Sequence, residues 1–462
     1  MNVGRVCRIA PMVAGVMVFG AGAYALQDQG DFAFTNPSGV AGTVTANGQI
    51  DFTNPFFQDL GTNGRKCVTC HQPQDNWSVS AANVRKRFNA TDGTDPIFRT
   101  NDGSNSPLAD VSTVNARRRA YNMLLSKGLI RVERPIPANA EFDLVAVDDP
   151  YHYASAAGLS LFRRPLPTTN LRFISTVMWD GREVDPTTPM KIANSAAQNE
   201  SILLTSLSHQ ALDATNGHAQ AVVTLTDEQR QAIVDFEMGL STAQQFDYKA
   251  GPLSSAGGLG GPANIAGFPF YIGTNDNVAD PNGPFTSRSM RLYEAWRKSS
   301  EAYRRSVARG EDIFDSKPID ITGVKGLNDN PYFGNPAVVT GTCTTCHNTP
   351  DIGNHSLAVA LDIGLTDASH RTPDMPLYTL RNRTTGATIQ TTDPGLALGT
   401  GKWKDIGRFK GPVLRGLAGR APYFHNGSAA DLDAVLDFYQ SRFGLVLKPQ
   451  ERADLIAFLK TL

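Results

Sequence analysis

Cys67-Val68-Thr69-Cys70-His71 decides how the rest of this chain is read, because Cys343-Thr344-Thr345-Cys346-His347 repeats its pattern. C-x-x-C-H is the attachment signature of c-type haem. Two thiols three residues apart can add to the two vinyl groups of one porphyrin. The histidine that follows then lies where its imidazole can bind the iron. A thioredoxin-like redox pair also reads C-x-x-C, but it needs no adjacent histidine and would not come twice. A zinc site could use two such pairs, but zinc sites keep their pairs close in sequence, and these lie far apart. The reading is therefore two covalently bound haem c groups. Cys67, Cys70 and His71 hold one, and Cys343, Cys346 and His347 hold the other, with His71 and His347 as iron ligands.

The chain has 462 residues, 41% of them hydrophobic, and a formal net charge of -1. That length allows two or three domains. The charge balance gives no reason to expect nucleic-acid binding, and the basic runs Arg85-Lys86-Arg87 and Arg117-Arg118-Arg119 read as solvated faces. Four of the five cysteines belong to the two motifs. The fifth, Cys7, lies in a segment with a positive start (Arg5, Arg8), an apolar run from Ile9 to Gly22 and a small-x-small site at Ala23-Tyr24-Ala25. Residues 1–25 therefore read as a secretory signal peptide. No stable membrane span is expected after its removal, since no other long apolar run follows. Export to the periplasm agrees with haem c, which bacteria assemble outside the cytoplasm. The mature chain should carry neither a free cysteine nor a disulfide.

Downstream, Leu26 to Gly48 is rich in Gly, Thr and Asn and reads as surface chain. Asn89 to Ser106 reads as a long loop, and Arg134 to Leu171 as irregular, with many prolines and little periodicity. Val114 to Leu125 reads as a helix with Ala116, Ala120, Met123 and Leu124 facing inward. Two later stretches align without a gap. Leu225 to Leu240 falls on Leu447 to Leu462, with Leu225 on Leu447, Arg230 on Arg452, Ile233 on Leu455, Phe236 on Phe458 and Leu240 on Leu462. Thr226 and Gln229 make a capping box for the first helix. Each copy closes a segment that begins with a C-x-x-C-H motif, so the chain reads as an internal duplication. The fold expected is mainly α, with two cytochrome c-like haem domains at 26–245 and 291–462 and long irregular loops. The Gly/Pro/Asn-rich stretch at 246–290 is the linker between them.

Beyond the haem motifs, Arg420-Ala421-Pro422-Tyr423-Phe424-His425-Asn426-Gly427-Ser428 precedes a helix whose start is marked by Ser428 and Asp431. Leu432, Val435, Leu436, Tyr439 and Phe443 make one apolar stripe on it, which should face the second haem. By spacing alone, Tyr439 is an ordinary core tyrosine with its hydroxyl satisfied.

The two C-x-x-C-H motifs, Trp179-Asp180-Gly181-Arg182, and Ala421-Pro422-Tyr423-Phe424-His425-Asn426-Gly427-Ser428 together resemble the bacterial di-haem cytochrome c peroxidase and MauG superfamily. The resemblance covers most of the mature chain. In the peroxidases, the residue fourteen after the motif's histidine is a methionine ligand of the second iron. In the MauG branch it is tyrosine, and here that position is Tyr439. The resemblance thus implies a phenolate ligand, a hard anionic donor that lowers the iron's potential where a thioether raises it. Peroxidases place a distal histidine shortly after the first motif. Here the equivalent position is Arg87, and no histidine occurs between His71 and His152. The resemblance therefore implies an open first haem. His152 is the histidine that a loop could still bring to it.

The family's glutamine and glutamate, which serve peroxide cleavage, follow the W-D-G-R segment. Their best matches are Gln210, in His209-Gln210-Ala211, and His218, with Glu200 as a second candidate acid. A neutral histidine can do such proton work. His209 and His218 read equally well as surface histidines. Trp179 resembles the tryptophan between the family's two haems, where an oxidisable indole can relay an electron. The family also binds calcium between its domains, through carbonyls matching Arg420 and Pro422 and an Asn side chain. Here Arg164 stands in place of that Asn, which puts in question the calcium that the resemblance implies.

These implications make an enzyme that reduces hydrogen peroxide at the first haem, with catalytic Gln210, His218 and Trp179. Its electrons would come through the second haem from a small redox protein or a protein substrate. A rubber-oxygenase-like dioxygenase is an alternative, with room in the loops at 89–170 and 251–285. A plain di-haem electron carrier is another, and it would need protein ligands on both faces of both irons.

Overall fold

A computed structural model describes residues 32–183, 196–269, 288–355 and 359–462. The expected leader at 1–25 and the middle of the expected linker lie outside them. The helices are α1 (Cys67–Cys70), α2 (Ala81–Thr91), α3 (Val114–Ala120), α4 (Asn122–Lys127), α5 (Ala196–Gly217), α6 (Asp227–Met238), α7 (Pro262–Gly267), α8 (Ala302–Ser316), α9 (Ala397–Thr400), α10 (Leu432–Phe443) and α11 (Pro449–Leu459). The strands are β1 (Phe32–Asn36), β2 (Gly39–Thr45), β3 (Ile130–Arg134), β4 (Phe142–Asp148), β5 (Leu159–Arg163), β6 (Leu240–Asp247), β7 (Gly251–Pro252), β8 (Ile319–Ile321), β9 (Val339–Gly341), β10 (Leu377–Asn382) and β11 (Thr388–Thr391). They form antiparallel sheets ordered β1-β2-β6-β7, β11-β10-β4, β3-β5 and β8-β9.

The expectation of a mainly α chain is corrected here. Of the described residues about 34% are helical and 17% are strand, so the class is mixed. The missed strands lie where Gly, Thr and Pro suggested surface or irregular chain. Leu26 to Gly48 contains the β1–β2 hairpin, whose Asn36 side chain accepts hydrogen bonds from Ser38 N and Gly39 N at 3.0 and 3.1 Å and so makes the turn. The hairpin continues onto β6, with Thr45 opposite Leu240. A Cβ on Gly39 would fall 1.9 Å from the Phe246 carbonyl oxygen, so only glycine lets the two strands close up. Arg134 to Leu171 contains β4 and β5, and its prolines at 135, 137, 150, 165 and 167 lie between or beyond the strands. β4 pairs with β10, more than two hundred residues away, with Phe142 opposite Asn382. A strand whose partner is that distant leaves little local trace.

The helical expectations fare better. Val114 to Leu125 is helical in two pieces, α3 and α4, and Ala116, Ala120, Met123 and Leu124 are buried as expected. α6 begins at the Thr226–Gln229 capping box, which is formed. The expected Ser428–Asp431 capping box is not formed, and α10 starts three residues further on. Asp431 alone caps it, its carboxylate accepting from Ala434 N at 2.9 Å.

Two of the apolar clusters frame the candidate site. In one, Phe56, Phe57, Trp77 and Ile233 pack together, with Phe236 against them. In the other, α8 and α11 cross over Tyr293, Trp296, Phe314 and Phe458, all nearly or fully buried. Gly310 makes that crossing close, since a Cβ there would meet Asp454 O at 2.0 Å. Among the described residues, no helix is long and apolar enough to cross a membrane.

Candidate active site

Each C-x-x-C-H motif walls a cavity. Cys67, Cys70 and His71 border the first, of about 1310 Å3 counted to its open mouth. Cys343, Cys346 and His347 border the second, of about 1790 Å3. The motif places its side chains by forming a single turn. α1 ends at His71, whose backbone N–H returns to Cys67 O. His71 Nδ1 lies 3.1 Å from Trp77 O, and His347 Nδ1 lies 2.9 Å from Gly353 O. A carbonyl on Nδ1 fixes the tautomer and leaves Nε2 free for a metal. Burial pushes both imidazoles down to about 4 and the Cys67 and Cys343 thiols up to about 12. The residues fit haem: paired free thiols, an imidazole with one nitrogen tied, and mostly apolar walls.

The matched helices face the two cavities at corresponding places. Ile233 and Glu237 of α6 border the first, and Leu455 and Leu459 of α11 border the second. Gln210, from α5, and His218, just past its end, both border the first cavity. His218 Nδ1 is hydrogen-bonded to Asp102, which also pairs with the Arg65 guanidinium. Burial would raise the Asp102 carboxyl, but Arg65 and the His218 contact outweigh it and hold the carboxyl below its usual range. An ionised Asp102 accepts a hydrogen bond from Nδ1–H, so the free lone pair of His218 lies on Nε2.

Tyr439 borders the second cavity with the rest of its stripe, Leu432, Val435, Leu436 and Phe443. Its hydroxyl makes no hydrogen bond to a described residue, unlike an ordinary core tyrosine. Burial pushes it up, with the Cys346 and Cys343 thiols adding to the shift. Trp179 borders both cavities, and so do Arg164, Pro165, Leu166, Pro167 and Lys410. The indole Nε1 donates to Arg164 O at 2.8 Å, and the ring lies 6.0 Å from that of His425. The other residues of W-D-G-R hold it there. Asp180 accepts from Arg163 at 2.5 Å and from Arg182 at 3.0 Å, and Gly181 turns the chain at a φ of 67°. Arg163 in turn donates to Asp393 at 2.7 and 2.9 Å.

Other sequence candidates lie elsewhere. Arg87 is paired with Asp95 and donates to Thr69 O. His152 sits on an exposed turn with a φ of 53°. Glu200 is exposed on α5, and His209 is exposed and bonded to Glu183 at 2.8 Å. None of the four is among the residues bordering either cavity. Sequence reading missed Asp102, Arg65, Glu237 and Lys410. Asp102 lies in an Asn-Asp-Gly run that reads as a plain turn. Glu237 did leave a signal, since the repeat puts it where the second copy has Leu459.

Calcium does not fit. The Arg420 carbonyl accepts from Arg164 Nη2 at 2.8 Å, and the side chain in place of the Asn ligand is itself a cation.

Paired thiols and a tied imidazole border each of two cavities, on either side of one tryptophan, and each set fits a c-type haem. No family model matches the chain. It is 30% identical over 218 residues to cytochrome-c peroxidase IdrP1 of Pseudomonas sp. (strain SCT), covering 42% of this chain and 54% of that one. It is 27% identical over 169 residues to cytochrome c551 peroxidase of Pseudomonas aeruginosa, and 28% identical over 179 residues to the methylamine utilization protein MauG of Methylorubrum extorquens. Each of those two matches covers 35% of this chain and 41% of the relative. The chain thus spans about half the length, or less, of these relatives. A solved MauG-like protein associated with microbial copper homeostasis aligns over 96% of this chain and 95% of its own, at 16% identity and a TM-score of 0.38, too loose a fit to define the fold. Over these partial lengths the chain is similar to di-haem cytochrome c peroxidases and to MauG.

Proposed function

We propose that this chain is an exported, periplasmic di-haem oxidoreductase of the tyrosine-ligated MauG branch. It reduces hydrogen peroxide beside the first motif with electrons drawn through the second from a donor protein or a protein substrate. The observation that carries this reading is the asymmetry of two otherwise matched cavities: the first has the His218–Asp102–Arg65 group, and the second has Tyr439.

Bound haem supplies an iron that binds peroxide oxygen and exchanges electrons with it. Cys67 and Cys70 hold one haem and Cys343 and Cys346 the other, and His71 and His347 offer Nε2 to the irons. Peroxide cleavage needs a group that takes a proton from the inner oxygen and returns it to the outer one. His218 Nε2 is that group, and Asp102 keeps its Nδ1–H in place. Gln210, on the same cavity wall, offers an amide to orient the peroxide. Tyr439 offers its phenolate oxygen to the second iron and excludes an outside ligand there. Trp179 relays electrons between the two sides, held by the Arg164 carbonyl and the Asp180–Arg163 pair.

The test is low-temperature EPR of the ferric protein. One high-spin and one low-spin signal are expected, with the low-spin species lost in Tyr439→Phe and a change on stoichiometric peroxide. Two low-spin signals and no response to peroxide would make the protein an electron carrier.

A further inference from the structure

Arg164 is 6% exposed, and its guanidinium meets three backbone carbonyls. Nη1 donates to Lys127 O, and Nη2 donates to Val79 O and to Arg420 O, each at 2.8 Å. Among the described residues no carboxylate pairs with it. The neighbouring Arg163 is the contrast, clasped by Asp180 and Asp393. Buried arginines ordinarily take carboxylate partners, as Arg163 does. Three carbonyl oxygens around it, with the Asp75 carboxylate acting only from beyond ion-pair distance, are instead the environment of a bound cation.

The cage also joins distant parts of the chain. Val79 precedes α2, Lys127 ends α4 and contributes a carbonyl from its last turn, and Arg420 belongs to the segment leading to α10. The backbone of Arg164 extends the joint. Its N–H donates to His425 O at 2.7 Å, and its carbonyl holds the Trp179 indole. Burial, with the Arg420 charge nearby, pushes the guanidinium down to about 9, which still leaves it charged at neutral pH.

We propose that the Arg164 guanidinium is the resident cation between the two halves of this chain, so that the junction is complete without bound calcium. The side chain satisfies carbonyls that a metal ion would otherwise bridge, and being covalently attached it cannot be chelated away or exchanged. Its charge also repels a metal ion from the oxygens it leaves free. This inference is independent of the reaction proposed above.

The test uses the full holoprotein. Its calcium content is measured by elemental analysis after gel filtration, and its thermal unfolding midpoint is followed with EGTA and with calcium chloride. Substoichiometric calcium and a midpoint that neither reagent moves are expected. One bound calcium per chain, or a wild-type midpoint lowered by EGTA or raised by calcium chloride, would overturn the proposal. In Arg164→Asn the midpoint should fall, and calcium chloride should raise it again. A variant midpoint equal to that of the wild type would also overturn it. Should Arg164→Asn fail to fold, the wild-type measurements decide the matter alone.

Discussion

Glu237 is a carboxyl group in an apolar wall, and replacing it should make the protein more stable in a pH-dependent way. It lies on α6, is 5% exposed, and borders the first cavity. Its Oε2 finds no partner among the described residues. Burial pushes it up to about 8, from an ordinary value of 4.5. The sign follows from proton linkage. Below about pH 4.5 the carboxyl is protonated in both folded and unfolded chains and contributes no pH dependence. Between about pH 4.5 and 8 the unfolded chain releases a proton that the folded chain keeps, so stability falls as pH rises. At ~1.4 kcal/mol per pH unit, the loss reaches about 4–5 kcal/mol above pH 8.

Glu237→Gln keeps the shape and removes the titration. Urea unfolding, followed by tryptophan fluorescence and Soret absorbance, would be run on both proteins from about pH 5 to pH 9. The variant's advantage over wild type should grow through that range and level off above pH 8. At a slope of ~3 kcal/mol per molar urea, the midpoints should separate by about 1.5 M between the two ends. Curves that stay parallel from pH 5 to 9 would refute the reasoning, because they would mean that Glu237 is solvated or paired in the folded protein.

Two further substitutions probe the site and its frame. His218→Gln should slow peroxide consumption by ~10^2-fold or more, and Asp102→Asn should slow it less while shifting its pH profile. Stopped-flow mixing checks both, and a wild-type rate in His218→Gln would remove His218 from the proposed chemistry. Asp180→Ala leaves Arg163 buried with Asp393 alone and should cost about 3 kcal/mol, the low end for a broken buried pair. An unchanged urea midpoint in that variant would show that the pair does not hold the Trp179 turn.

The chemistry-bearing residues were legible where function demands a fixed spacing. Two thiols and an imidazole must lie within one turn to hold one porphyrin, so C-x-x-C-H stands out in the bare sequence. A helix is also a local object. Its cap and apolar stripe lie within a few residues of each other, which is why α6 is legible from both, and α10 and α11 from their apolar stripes. The strands could not. β4 needs β10 and β2 needs β6, and pairing across hundreds of residues leaves no periodic mark near either partner.

By itself, then, the sequence determined two C-x-x-C-H attachment motifs, a repeated closing helix, and a family resemblance carried by Trp179 and the Ala421–Ser428 segment. Only the tertiary structure decided which other residues stand with them. It brought Asp102 and Arg65 to His218, left His152 and Glu200 outside, and put the Arg164 guanidinium on the Arg420 carbonyl. The reason is physical. Charge pairing and burial depend on distance through space, and the chain sets those distances only when it closes on itself.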